Sequence, residues 1–215
     1  MKKKTRKRIR LGIICLVIAV IIYIVIRVII GLSQGGSGKS PVIKTEPIET
    51  YVYSYAPNYH ENVDEDPGYA EKDQHLYYTE GAITDSFTLD ESAGDYRDEL
   101  QFFLRYFSAV RAGDWDTYQT MFTDDFAEKA GNLTYPTEPF TPQKIYNMRV
   151  SFRGSSTVDS QTVSKFSIQY CIYHNNGTFC NFIKENQSRE IYCELISDGK
   201  DIKIRRLAPF LYAEY

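Results

Sequence analysis

The carboxyl-terminal half of this 215-residue chain offers few side chains to chemistry. Between residues 95 and 215 there is one histidine, His174, just ahead of an Asn-Gly pair, and three cysteines, Cys171, Cys180 and Cys193. A general acid or base needs a titratable group poised near the working pH and within reach of substrate. His174 stands where an alternating run gives way to turn residues, the expected place for a solvated turn histidine. Asp114, Asp116, Asp124 and Asp125 fall at expected helix starts, where carboxylates cap free backbone N–H groups. The cysteine spacings of nine and thirteen residues do not match the close pairs that bind zinc. A Cys171–Cys180 disulfide across the intervening turn stays open in an oxidising compartment. Val63-Asp-Glu-Asp66 lacks the alternating ligands and closing glutamate of a calcium loop. No catalytic residue, no cofactor and no metal is therefore assigned.

What stands out is aromatic. Phe103, Phe107, Trp115, Tyr118, Phe122, Tyr170 and Tyr173 are the candidate pocket or interaction residues. The elements that would position them are legible from periodicity. Leu100, Phe103, Leu104, Phe107 and Val110 recur at three- and four-residue steps, one face of an amphipathic helix. Asp95 is a candidate cap for its start, and Arg111 suits the negative end of its dipole. Gly113 fits a left-handed stop and Asp114 the cap of a second helix. That helix carries Trp115, Tyr118, Met121 and Phe122, with Phe126 a turn further on. Three prolines between Asn132 and Pro142 require a loop.

Strands follow. Tyr146, Met148, Val150 and Phe152 alternate with polar partners, as do Phe166, Ile168, Tyr170 and Ile172. Ile191, Cys193 and Leu195 mark a third strand and Ile202 with Ile204 a fourth. Asp198-Gly199 is a two-residue hairpin signal, and pairing across it sets Leu195 opposite Ile202 and Cys193 opposite Ile204. Thr178 to Ile183 reads as a short extra strand or an edge loop.

The amino-terminal part has a different composition. Residues 1–10 hold seven basic side chains and no acidic one. Residues 11–32 (LGIICLVIAVIIYIVIRVIIGL) are apolar except for Arg27, long enough to cross a bilayer. The reading is a basic cytoplasmic tail, then a transmembrane signal anchor, with everything beyond residue 33 outside the cell membrane. A cleavable signal peptide competes with it, although its apolar region is usually shorter. Residues 33–94 form an acidic, tyrosine-rich linker. Residues 42–95 hold thirteen acidic and two basic side chains. Too few aliphatic residues accompany the tyrosines to close a core, so disorder or loose wrapping is expected. It is either a solvated stalk or a docking strip whose tyrosines fold onto a partner or onto the domain. Residues 96–215 are balanced, fourteen basic against fifteen acidic, which argues against a nucleic-acid partner.

Two helices joined at a Gly-Asp turn and followed by an antiparallel sheet resemble the NTF2-like (cystatin-like) superfamily. The stretch FFLRYFSAVRAGDWDTYQTMFTDDF carries the likeness, which covers residues 95–215. It implies an α+β cone, two amino-terminal helices on a curved antiparallel sheet of about four strands. An enzyme of this kind, similar to ketosteroid isomerases or dehydratases, would use a buried Asp, His or Tyr in the cone. The layout of tail, span and outer domain is similar to the VirB8-like and TcpC-like subunits of conjugation and type IV secretion machines. What the likeness implies is a non-catalytic, membrane-anchored scaffold or interaction subunit of an envelope assembly. Its partners would be other membrane or envelope proteins or further copies of itself. The alternative is a module holding a small apolar ligand in the cone. Fold alone does not choose between these, because one fold hosts many activities.

Overall fold

Apolar alternation and helical periodicity assemble into a six-stranded mixed sheet with one full-length helix on its inner face. The computed structural model describes residues 49–91, 96–126 and 136–209. In chain order the sheet comprises β1 (Leu76–Glu80), β2 (Ile83–Phe87), β3 (Lys144–Val158), β4 (Gln161–Tyr173), β5 (Ile191–Ser197) and β6 (Ile202–Pro209). The helices are α1 (Pro67–Ala70), α2 (Asp98–Ala112) and α3 (Trp115–Gln119). Across the sheet the order is β2-β1-β3-β4-β5-β6. Only β1 and β3 run parallel, with Leu76 beside Met148 and Tyr78 beside Val150.

This architecture overturns the expected NTF2-like cone of two helices and about four antiparallel strands. The linker is the first reason. It was expected to be disordered between residues 33 and 94, yet it supplies β1, β2 and α1. Leu76, Tyr78, Phe87 and Leu89 are buried in the main core. Aliphatic content alone underestimated the segment, because its tyrosines and phenylalanine bury large areas each.

The second reason is that the second helix is cut short. α3 ends at Gln119, where Thr120 donates both its N–H and its hydroxyl (2.7 Å) to the Thr117 carbonyl. The next residues join the sheet instead. Ile204 N–H donates to Met121 O at 2.7 Å, and Thr123 N–H donates to Ile204 O at 3.0 Å. Strand bonds thus replace the helical ladder that Phe122 and Phe126 were expected to extend.

α2 follows the periodic reading closely. Gly113 adopts the left-handed conformation at φ 67° and its N–H bonds back to Ala109 and Val110. Asp114 caps α3 by accepting from Thr117 N–H at 3.0 Å. Asp95, the expected cap of α2, lies outside the described residues; the N-cap position is Arg97, whose side chain makes no capping bond and pairs with Glu80 instead.

Two register expectations change. The β5–β6 connection is a four-residue loop, with Ser197 opposite Ile202, Leu195 opposite Ile204 and Cys193 opposite Leu207. Of Asp198 and Gly199 only the glycine has positive φ, and Asp198 Oδ1 instead accepts from Lys200 and Asp201 N–H. In β3, Asn147 takes φ 52° and interrupts the pairing with β4. The stretch from Thr178 to Ile183 is a loop that plugs the core with Phe179, Cys180, Phe182 and Ile183.

The transmembrane signal anchor at 11–32 and the tail at 1–10 lie outside the described residues. No helix among the described residues is long and apolar enough to cross a membrane. The single-pass anchor, and the cell-membrane localisation built on it, therefore lack structural support and are withdrawn.

Candidate functional site

Six of the seven candidate aromatics meet in one place. Phe103, Phe107, Tyr118, Phe122 and Tyr170 are buried in the main core, and Trp115 packs against it half-buried. They are there because α2 presents one face to β4 while α3 turns back over the 136–142 and 174–183 loops. Phe107 meets Tyr170 edge-on with ring centroids 5.9 Å apart, and Tyr118 meets Phe140 at 5.1 Å and Phe179 at 5.7 Å. The rings fill the space they were expected to line. A cavity of about 20 Å³ remains between Tyr106, Tyr118, Tyr170, Phe179 and Phe182, room for about one water molecule. Burial holds the Tyr170 phenol well above its ordinary range, so it stays protonated.

Tyr173 goes elsewhere. Strand alternation turns it and Cys171 to the opposite face of β4, where they join Val63, Tyr69 and Tyr146 in a smaller cluster. The segment expected as a linker covers this face. Tyr69 is fully buried and donates its hydroxyl to Ile145 O at 2.7 Å. Asp66 caps α1 through Gly68 and Tyr69 N–H. Lys144, 7% exposed in its side chain, places its ammonium 2.6 Å from both Glu61 and Asp66. Burial alone would pull the Lys144 pKa down, but the hydrogen bonds to Asp66 and Glu61 outweigh it and the net shift is upward. The Lys144 hydrogen bond holds Asp66 below the usual carboxylate value, against the opposing effect of burial. The triad is a clamp between the 61–70 segment and the sheet.

His174 lies at the edge of this cluster in a left-handed turn, φ 53°. Its ring stacks on Tyr173 at 3.9 Å and on Tyr55 at 4.4 Å, and its Nδ1 is 3.7 Å from Asp66. The histidine is an aromatic spacer in that setting. The three carboxyl-domain cysteines are buried and free, without the Cys171–Cys180 bridge left open by the sequence. Burial raises all three thiols, Cys180 to about 12, which keeps them protonated and poorly nucleophilic. Among the described residues no group of three or more His, Cys, Asp or Glu is arranged to hold a metal ion.

The two edges of the sheet differ. β6 is partly covered by the strand-like bonds of Met121 and Thr123. β2 pairs with β1 on one side only, and its first four residues are exposed. Ile83 is 67% exposed. Sequence reasoning missed this edge because it assigned residues 83–87 to the linker. The available signal was the Glu80-Gly81-Ala82 turn between two runs rich in Tyr, Ile, Thr and Phe.

No family model, curated protein or solved structure matches the chain.

Proposed function

We propose that this protein is a non-catalytic interaction subunit, which joins a multiprotein assembly by adding an extended partner segment to the outer edge of β2. The observation that carries the reading is that edge. A strand paired on one side presents a row of backbone donors and acceptors to solvent, and such edges template pairing with other chains. No hydrogen bond to the outer side of β2 is made by any described residue. The conjugation or secretion setting depends on the layout of tail, span and outer domain, so neither it nor membrane anchoring is part of the proposal. The alternative, a small apolar ligand held among the core aromatics, has only about 20 Å³ in its favour.

The test is crosslinked affinity capture of the full-length chain with peptide mapping by mass spectrometry. Partner crosslinks are expected to cluster at Ile83–Phe87. The double substitution Ile83→Lys with Asp85→Lys, which places charge on the edge, should weaken capture of the same partner about tenfold. Crosslinks mapping elsewhere, or undiminished capture by the folded double variant, would overturn the edge as the docking site.

A further inference from the structure

The segment from Glu49 to Ala56 has no regular secondary structure, yet its side chains lie against the 174–185 loop. Tyr51 and Tyr53 are half-buried, Tyr55 is 36% exposed, and Val52 and Ser54 between them are exposed, Val52 completely so. Tyr51 N–H donates to Asn181 O at 2.8 Å, and Lys184 Nζ lies 4.8 Å from the Tyr51 ring centroid. Tyr53 donates its hydroxyl to Ile183 O at 2.6 Å. Its ring lies against Gly177, where a Cβ would come within 2.7 Å of a ring carbon. Tyr55 stacks on His174 and donates to Glu185 Oε1 at 3.2 Å. Three alternate tyrosines thus fill three seats on the 174–185 loop.

The loop is built from within, independently of the segment that covers it. Asn175, fully buried, donates to Cys180 O at 3.1 Å and Ile183 O at 3.0 Å and accepts from Gly177 N–H at 2.9 Å. Asn176 bonds to Thr141 Oγ1 at 2.7 Å, and Phe179, Cys180, Phe182 and Ile183 anchor the loop in the main core. By contrast the strap lies outside the core and is followed by the exposed stretch Ala56–His60, which includes Pro57. A rigid receptor, a peripheral occupant and an exposed connector are the ingredients of segment exchange between identical chains.

We propose that the 174–185 loop is a docking site for the Tyr51–Tyr55 segment of a second copy of this chain, the segment seen in the structure being its occupant in cis. Chain identity supports that partner: the segment that fills all three tyrosine seats is present in every copy. Exchange in both directions gives a closed two-fold dimer with the same contacts as the monomer. This goes beyond the edge-strand reading and uses none of its residues.

The test is complementation between two full-length variants, dispersed in mild detergent because of the apolar run at 11–32. One carries Tyr51→Ala, Tyr53→Ala and Tyr55→Ala and keeps an empty loop. The other carries Gly177→Asn, which tolerates the positive φ of 78° and fills the seat of the Tyr53 ring. Each variant alone sets the background mass. Mixing ¹⁴N- and ¹⁵N-labelled variants is expected to give a species of doubled mass and mixed isotope in native mass spectrometry. A mixture that stays at single-chain mass while both variants unfold cooperatively overturns the proposal. Should either variant fail to fold, wild-type ¹⁴N and ¹⁵N chains replace them. Mixed dimers abolished by Tyr53→Ala then support exchange, and their absence, or their persistence in Tyr53→Ala, overturns it. The Ile83→Lys, Asp85→Lys double variant should exchange normally, so the two proposals fail separately.

Discussion

Tyr146 and Met148 lie two residues apart on β3 yet face opposite sides of the sheet. Met148 is fully buried in the main core, whereas Tyr146 joins Val63, Tyr69 and Cys171 beneath the 61–70 segment. In an unbroken strand, residues i and i+2 share a face. Asn147 breaks the alternation with φ 52° and a shift in pairing to β4, and its N–H donates to Asp73 O at 2.8 Å. The bulge directs the Tyr146 hydroxyl to Asn186 Oδ1 at 3.0 Å. Asn147→Gly is expected to be nearly neutral. Asn147→Val should cost about 1–2 kcal/mol, the penalty of a β-branched residue in left-handed space. Urea unfolding of the two variants gives the comparison, and equal stabilities would show that the bulge is not held at that φ.

Lys144→Met removes the cation between Glu61 and Asp66 and is expected to cost about 2 kcal/mol at neutral pH. The pH dependence carries the sign. Asp66 titrates below 3.8 in the fold, so its contribution is present above about pH 3.8 and is lost as pH falls through the lower folded value. Lys144 titrates above 10.5, so its contribution is complete below that pH and is lost as pH rises through the folded value. As pH is lowered from 7 to 2, urea midpoints should therefore fall more steeply for the wild type than for Lys144→Met. Parallel curves would show that the clamp does not set the acid limb.

Gly113→Ala tests the turn between α2 and α3. The residue has φ 67°, and an added Cβ would lie 2.7 Å from Pro142 N and 3.0 Å from the Thr141 carbonyl carbon. Left-handed strain alone is worth about 1–2 kcal/mol, and backbone atoms cannot swing aside. A loss of at least about 2 kcal/mol in denaturant unfolding is expected. A loss below 1 kcal/mol, a threshold set by the left-handed penalty, would mean the loop at 141–142 yields.

Phe103→Ala should be among the most damaging single changes, at about 3–5 kcal/mol. Its fully buried ring meets Phe166 edge-on at 4.9 Å and joins α2 to β4. Capture of a partner by the β2 edge should survive as long as the variant is folded. Loss of capture without loss of the cooperative transition would link the core to the edge.

A chain that begins at residue 95 is expected not to fold cooperatively. It lacks β1 beside β3, removes Leu76, Tyr78, Phe87 and Leu89 from the core, and strips Val63 and Tyr69 from the outer face. Circular dichroism and thermal unfolding decide this. A sharp transition within a few degrees of the full chain would restore the independent 95–215 domain.

Local chemistry made several elements legible without the fold. The α2 periodicity, the left-handed Gly113, the Asp114 cap and the alternation of β4 and β5 all depend on residues within a turn or two of one another. Their signals survive in the sequence because the competing forces act over the same short range. The composition of residues 33–94 misled for the opposite reason. Leu76 and Tyr78 form a strand because Met148 and Val150, some seventy positions later, offer a parallel edge, and no local pattern records that. Phe122 has helical spacing, yet the Ile204 backbone captures its neighbours; Asn147 looks like an ordinary polar position until Asp73 takes its N–H. The candidate aromatics other than Tyr173 come together in the main core, but whether they line a pocket or fill it depends on how closely α2, β4 and the 174–183 loop approach. That distance is set by packing of all the elements together, and only the tertiary structure decides it.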